Sequence, residues 1–534
     1  MRRCDEYLWR WIAIGLGMTF VVFGWLRCDG TGAAEISLAK LVAQAPPSVL
    51  DPTDAQTAMF DDEAVEDDVE DGDSLERGTA EEMDRSPSPT ASSNRPESTL
   101  PVDPTDAQTA MFDDDAEEDD SSERGASDAD SVANRYRTPH WSEDRKTFSL
   151  VTPIDETATP FSLNASVFLQ PRWTGFSPSV DTWWDSTGTQ WPLHEMNYLE
   201  LNRGQLALSG TAYDPKLRYT FIAWMSTSSN LFLPMGWLGY AIQPELELYI
   251  GCFKIFGTRE WTTPFAQTYG TERTMATTFF RPGFCPGAWV KGVIEPWHLS
   301  YEAGVFTSFI GVPYAESTRS GDSLTGAVSV TWEPVGVYGG GISDIEDHET
   351  PTPRLGMTWA AGRVNRQSSD YSSNSDSSLL SLSDGTPLGR LGSLGRGTLI
   401  EAESISLASV DFGLKYRGMT LYHEWMVRWL GDFAYTGPAP ERNFLVDYGA
   451  ILQGGFFVIP KQTEIYARSS LVSGAYGTGY EGGGGIAWFP YKNDRLKVTG
   501  ELLYMNRCPA DNARTIYRSG ETGVGLEFQV LASF

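Results

Sequence analysis

The chain has 534 residues, a formal net charge of −31 and 12% aromatic residues. The negative charge is concentrated in residues 51–130, which hold 28 acidic and 4 basic residues, so the rest of the chain carries little net charge. No stripe of basic residues runs along the sequence, and we therefore expect no nucleic-acid partner.

The N-terminus has the pattern of an export signal. Three arginines come before or at the start of the apolar run Trp11–Leu26, and small residues follow at Gly32–Ala34. The apolar run is shorter than the about 20 residues that a membrane-spanning helix needs. We therefore predict a signal peptide over residues 1–34, with an uncleaved inner-membrane anchor as the alternative.

Residues 35–146 are predicted to be a disordered acidic arm, because they are rich in Asp, Glu, Ser, Pro and Ala and bury too little apolar surface to fold. One 12-residue motif, DPTDAQTAMFDD, occurs at 51–62 and again without change at 103–114. It is either a duplicated partner-binding motif anchored by Phe60 and Phe112 or a tandem duplication in a linker. Because acidic tracts are usually solvated, we favour the linker.

From about residue 160 onward, apolar and polar residues alternate, which indicates β-strands with one apolar and one polar face. In the last such segment Glu527 and Gln529 lie opposite an apolar row formed by Val524, Leu526, Phe528, Val530, Ala532 and Phe534. A soluble sandwich also contains alternating strands. Segment lengths of about ten residues or more, and apolar faces that start or end in aromatic residues, favour strands that cross a bilayer.

Fifteen candidate strands can be identified, and single-chain bacterial barrels close with an even number. The connections alternate between short ones, such as 213–216 and 491–494, and long ones at 176–195, 256–286 and 365–400. The predicted fold is therefore all-β: a transmembrane antiparallel β-barrel of about 16 strands over residues 160–534. Its partner on the outside would be outer-membrane lipid.

Charged residues on the polar faces of these strands are the candidates for lining a pore. They are Arg203, Glu247, Lys415, Glu424, Arg428, Glu464, Arg468, Lys497 and Glu501. Because both signs are present, the set favours a general channel over an anion-selective one, which needs inward rings of Arg or Lys. The alternative is that these residues form salt bridges that stiffen a filled lumen.

Two further features have open interpretations. The long loop 365–400 either folds inward as a constriction, with Arg390 and Arg396 facing the pore, or remains an ordinary surface loop. Cys252 and Cys285 either form a disulfide in an oxidising compartment or stay as thiols in the barrel wall. Neither metal-ligand spacing nor a nucleophile–base pair occurs in the sequence, so we expect no metal, no cofactor and no enzymatic activity.

Several stretches carry a resemblance to a known family. They are Leu201–Gly210 (LNRGQLALSG), Leu248–Lys254 (LYIGCFK) and Tyr448–Pro460 (YGAILQGGFFVIP) with the Glu, Arg and Gly residues that follow. In this order they resemble the phosphate-selective porin O/P family, over about residues 160–534. The resemblance implies a 16-stranded barrel, commonly a homotrimer, and passive diffusion of small, often anionic, solutes.

Together these features predict a porin in the outer membrane of a diderm bacterium, with a passive channel for small hydrophilic solutes or ions. The mixed signs on the polar faces make strict phosphate selectivity doubtful. The alternative function is a structural or binding barrel, whose acidic arm or surface loops engage a partner in the cell envelope.

Overall fold

A computed structural model describes residues 136–142, 147–155, 161–227, 231–310, 324–365, 380–512 and 515–534. The predicted signal peptide, the duplicated motif and nearly all of the predicted acidic arm lie outside these residues. Among the described residues, no helix has the length and apolar character needed to cross a membrane.

The described residues form 21 strands. Three short strands come first: β1 (Tyr136–Arg137), β2 (His140–Ser142) and β3 (Thr147–Pro153). The others are β4 (Leu163–Pro178), β5 (Thr182–Trp184), β6 (Gln190–Pro192), β7 (Met196–Ala212), β8 (Asp214–Ser226), β9 (Leu231–Gln243), β10 (Leu246–Lys254), β11 (Phe284–Ile294), β12 (Leu299–Phe306), β13 (Thr325–Trp332), β14 (Thr352–Asn365), β15 (Leu399–Tyr416), β16 (Met419–Thr436), β17 (Phe444–Ile459), β18 (Thr463–Gly474), β19 (Gly477–Trp488), β20 (Leu496–Asn506) and β21 (Gly523–Ser533).

Sixteen of these strands, β4 and β7–β21, form a closed antiparallel barrel. Each barrel strand pairs with the next along the chain, and β21 pairs back with β4. At the seam, Val167 and Phe534 exchange two backbone hydrogen bonds of 2.5 and 2.9 Å. The predicted fold class and the strand number of 16 are therefore confirmed.

The alternation in sequence sets which side chains face out. In β20, Glu501 points into the barrel and is 2% exposed, whereas the next residue, Leu502, points outward and is 43% exposed. In β21, Glu527 is buried and Phe528 is exposed in the same way. An apolar outer face around a polar interior is the arrangement of a barrel that spans a membrane, because the outer face contacts lipid. Closure of the barrel also leaves no sheet edge with unpaired backbone groups in the lipid.

The two ends of the barrel differ. At the end where β4 begins and β21 finishes, which we call the turn end, most connections are short, such as Arg417–Gly418 between β15 and β16. One is long: residues 333–351 between β13 and β14, the turn-end segment. At the opposite end, the loop end, the connections are mostly longer. The longest that is fully described is residues 255–283 between β10 and β11, which we call the inward loop.

Of the two alternatives for Cys252 and Cys285, a disulfide or two thiols, the structure shows two thiols. In the β10–β11 pair, Cys252 lies opposite Pro286, and Cys285 lies opposite Phe253. The two cysteines are therefore one residue out of register across the pair. Cys285 is buried and Cys252 is partly buried.

The outward orientation of Leu502 predicts the effect of a charge there. Leu502→Arg should destabilise the barrel by about 2–4 kcal/mol, because an arginine would face lipid near the middle of the strand. Ser300→Arg, an inward and partly exposed position, is the matched control and should cost much less. Denaturant unfolding in lipid vesicles measures both, and equal losses would contradict the assignment of faces.

Candidate functional site

The inward loop occupies the lumen of the barrel. It contains helix α1 (Arg259–Thr262), a short 3-10 helix (Phe265–Gln267) and helix α2 (Met275–Phe280). A threonine caps each of the two helices: the hydroxyl of Thr258 accepts the backbone N–H of Trp261, and that of Thr274 accepts the N–H of Thr277. Almost every residue of the loop is buried.

Carboxylates from the barrel wall hold the first turns of these helices. Glu424 on β16 accepts the backbone N–H groups of Arg259, at 2.7 Å, and Glu260, at 3.4 Å. Glu481 on β19 accepts the N–H of Met275 at 2.8 Å. These N–H groups have no partner within a helix, and buried donors must be satisfied. The two glutamates therefore fix the position of the loop.

Glu272 is the centre of an ion-pair network between the inward loop and the wall. Its carboxylate lies 2.7 Å from Arg203 and 3.4 Å from Arg172. The backbone carbonyl of Glu272 accepts a hydrogen bond from Arg468, which pairs in turn with Glu501 at 2.7 Å. All five side chains are buried, so removing one partner leaves an uncompensated charge.

The loop also approaches wall strand β17 closely, at two glycines. The Phe280 ring lies against Gly449, and the Tyr269 hydroxyl lies against Gly455, where a Cβ atom would overlap each group. The same hydroxyl donates to Glu464 on β18 at 2.9 Å. The glycines that appear in the sequence as part of the Tyr448–Pro460 stretch therefore make room for the loop.

All nine sequence-predicted pore-lining residues point into the barrel, but most are covered. Glu247 on β10 is partly exposed and lies 3.4 Å from Arg218. The other eight are at most 2% exposed; they are Arg203, Lys415, Glu424, Arg428, Glu464, Arg468, Lys497 and Glu501. Several of them contact chain segments that fold into the barrel, as Glu424 and Arg468 do with the inward loop. This burial is what the filled-lumen alternative expects, whereas the wall of an open channel would leave these side chains exposed.

For the loop 365–400 the sequence left two alternatives, an inward constriction or a surface loop. Its described part lies partly against the inner wall, where Arg428 donates to the carbonyl of Ser381 at 2.6 Å. Within its described part, residues 380–398, Arg390 pairs with Asp185 at the loop end at 3.2 Å, and Arg396 is exposed. Burial alone would raise the pKa of Asp185, but hydrogen bonds from Thr187 and neighbouring groups and the Arg390 charge hold it below its usual value. Neither arginine faces the lumen gap described below, and the loop that crosses the lumen is 255–283.

One sector of the wall is not covered by large side chains. On β12–β14 the inward residues Ser300, Ser329 and Thr358 are small and remain partly exposed. Between this wall and Phe256 and Arg259 of the inward loop lies a cavity of about 40 Å³, which has room for a few water molecules. We call this cavity the lumen gap. It is the candidate functional site.

Aromatic side chains fill the interior along strands β9–β12. Inward rings of these strands pack against one another: Trp237 on Tyr249 at 5.0 Å, Tyr249 on Trp289 at 5.4 Å, and Trp289 on Phe306 at 6.1 Å between ring centroids. All four are buried. Their packing fills the lumen along these strands.

The turn-end segment lies inside the mouth of the barrel. The N–H of Ile342 donates to the carbonyl of Gln267 in the inward loop at 2.9 Å, and Ser343 donates to Glu464 on β18 at 2.8 Å. Arg259 of α1 donates to the carbonyl of Gly340 at 2.7 Å. The segment therefore reaches from β13 into the mouth of the barrel as far as β18 and contacts the inward loop.

A cluster of acidic groups in the turn-end segment is satisfied by the protein itself. Among the described residues, Asp344, Glu346 and His348 come close together. The ammonium of Lys415 lies 3.1 Å from Glu346, and the N–H of Gly418 donates to Asp344 at 2.8 Å. A cation already pairs with one carboxylate and an amide with the other, so we do not assign a metal to this cluster.

No protein-family model matches the chain, and no curated protein is significantly similar to it. Solved barrels are similar in fold. The outer membrane channel DcaP of Acinetobacter baumannii has a TM-score of 0.43 at 8% identity and covers 70% of this chain and 97% of its own. The outer-membrane expressed OmpT of Vibrio cholerae has a TM-score of 0.41 at 11% identity and covers 70% of this chain and 98% of its own. An anion-selective porin from Comamonas acidovorans has a TM-score of 0.41 at 9% identity and covers 70% of this chain and 100% of its own. At these values the likeness concerns the fold alone.

The ion-pair network predicts that Glu272 stabilises the loop in place. Glu272→Gln should lower stability by about 3 kcal/mol, because it leaves the buried Arg203 without its closest carboxylate. Glu247→Gln is the control, since Glu247 and Arg218 are partly exposed and their pair should contribute about 1 kcal/mol or less. Thermal unfolding in detergent compares the two variants. An equal effect would show that Glu272 does not hold the loop.

Proposed function

We propose that this chain is an outer-membrane porin that allows passive diffusion of small hydrophilic solutes. One observation carries the proposal: on the β12–β14 wall, hydroxyl side chains stay partly exposed beside the lumen gap, whereas most charged residues elsewhere on the inner wall are buried. A closed barrel with an apolar outside and a water-accessible strip inside supports diffusion across a membrane, because the solute meets polar groups along its path.

The charges beside the lumen gap favour a channel with little ion preference. Arg354 on β14 pairs with Asp411 on β15 at 2.5 Å, so this cation and this anion largely cancel. Arg259 adds a positive charge and Glu302 a negative one. With both signs beside the lumen gap, we propose small neutral or weakly charged solutes rather than phosphate alone.

A second candidate function is a binding or structural barrel with a closed lumen. The inward loop and the turn-end segment both occupy the lumen, and the gap between the loop and the wall is only about 40 Å³. In that case the acidic N-terminal arm or the surface loops would engage a partner in the cell envelope. The two functions differ in conductance, which only the first requires.

We further propose that the barrel assembles as a homotrimer, as the family resemblance implies. One of the similar solved structures, OmpT of Vibrio cholerae, is described in a trimer form. Chemical cross-linking of the native protein in membranes tests this proposal: a ladder ending at three copies supports it, and a single monomer band contradicts it.

The porin proposal predicts discrete conductance steps when the full chain is incorporated into planar bilayers. Ser329→Trp, which places an indole beside the lumen gap, should reduce the step size at least severalfold. Ser469→Trp, on the outward face of β18, is the matched control and should leave it unchanged. Folded protein without conductance steps would favour the closed barrel. Steps that Ser329→Trp leaves unchanged would contradict a passage beside the β12–β14 wall.

A further inference from the structure

An apolar groove crosses the outer wall of the barrel on strands β15–β18; we call it the outer groove. One row of its residues lies side by side in the sheet, with Leu414 opposite Leu421, Leu421 opposite Gly454, and Gly454 opposite Ala467. Gly454 and Ala467 carry at most a methyl group, so the wall is recessed between larger neighbours. The outer groove encloses about 670 Å³, within the range of about 300–1,000 Å³ that small-ligand sites occupy.

Larger side chains form the rim of the outer groove toward the turn end. Phe456 on β17 and Ile465 on β18 lie opposite one another in the next outward row and are 44% and 46% exposed. Tyr416 on β15 also lines the groove. Because this face of the barrel contacts lipid, the outer groove opens to the hydrocarbon of the membrane, with an aromatic residue near the boundary of the hydrocarbon.

Two cations lie in the turns just beyond this rim. Arg417 is exposed between β15 and β16, and its guanidinium lies 5.2 Å from the centre of the Tyr416 ring. Lys461 lies in the turn between β17 and β18, two strands or about 10 Å away. Asp347 and Glu349 of the turn-end segment are carboxylates at the same end. Among the described residues, neither of them forms an ion pair with Arg417 or Lys461.

Apolar surface alone does not select one lipid, because acyl chains meet the whole outward face of the barrel. Shape distinguishes the outer groove: a chain lying over Gly454 and Ala467 has protein below it and on its flanks, so it gains more dispersion contacts than on a convex wall. Charge distinguishes its end, because a guanidinium forms strong hydrogen bonds to a phosphate. Arg417 is three residues from Leu414, about 10 Å along the strand, so one molecule can reach both.

We propose that the outer groove binds one phospholipid, with an acyl chain over Gly454 and Ala467 and the phosphate at Arg417 and Lys461. In outer-membrane barrels the short turns face the periplasm, so this lipid belongs to the periplasmic leaflet. The site requires a barrel that spans the membrane, and it is independent of whether the lumen conducts.

Lipid retention by the full chain tests the site. The protein is incubated in detergent with phosphatidylglycerol, whose phosphate is its only charge, or with diacylglycerol of the same acyl chains. It is then passed repeatedly through gel filtration in lipid-free detergent. We expect one phosphatidylglycerol per chain to remain, on the order of tenfold more than diacylglycerol, because two cations attract the phosphate.

Ala467→Leu fills the recessed part of the outer groove and should reduce the retained phosphatidylglycerol severalfold. Ala303→Leu is the matched control, since Ala303 lies between Val290 and Val328 on the outward face of β12, and it should leave retention unchanged.

Arg417→Gln separates the phosphate contact from the groove. It should reduce the retained phosphatidylglycerol about fivefold and leave diacylglycerol unchanged, because only the first lipid carries a charge. Lys216→Gln removes an exposed cation near the start of β8, also at the turn end, and should change neither lipid.

The contrary outcomes are distinct. Equal retention of the two lipids by the natural chain overturns the site, as does an equal loss in Ala467→Leu and Ala303→Leu. If Ala467→Leu leaves lipid retention unchanged but separates cross-linked oligomers into single chains, the outer groove belongs to a second copy of the chain and the lipid proposal is overturned. Resistance to unfolding in unheated detergent shows that each variant still forms a barrel.

Discussion

The width of the barrel is the constraint on which the rest of this structure depends. A 16-stranded barrel encloses more space than its own inward side chains can fill. In this chain the inward loop folds inside and brings backbone N–H groups that need acceptors. Glu424 and Glu481 on the wall supply them, at 2.7 and 2.8 Å from Arg259 and Met275. The charged inner wall therefore acts first as a set of attachment points for folded-in chain, because buried polar groups must be paired.

That role explains why the interior is asymmetric. Long charged residues line the strands from β15 to β21, and the inward loop packs on them. On β12–β14 the inward residues Ser300, Ser329 and Thr358 are short, and the lumen gap lies beside them. The proposed passage is consequently confined to one narrow sector of the barrel, beside the lumen gap.

Local alternation was enough to predict which residues face inward, because the two faces of a strand meet different solvents; Glu501 and Leu502 are an example. The boundary between β9 and β10 is hard to recognise in the sequence, because only Pro244 and Glu245 separate the two strands. The identity of the folded-in loop was beyond local sequence, because its contacts, such as Met275 with Glu481, join residues about 200 positions apart.

Accessibility of single cysteines to water tests the central claim most directly. With the natural cysteines replaced, Ser329→Cys places a thiol beside the lumen gap, and Thr499→Cys places one on the opposite wall, where Thr499 is 0% exposed. We predict that a small, charged, water-soluble thiol reagent modifies the first in the folded protein and lowers its conductance, and that it reaches the second only after unfolding. Equal reaction rates at the two positions in the folded barrel would contradict a passage confined to the β12–β14 wall.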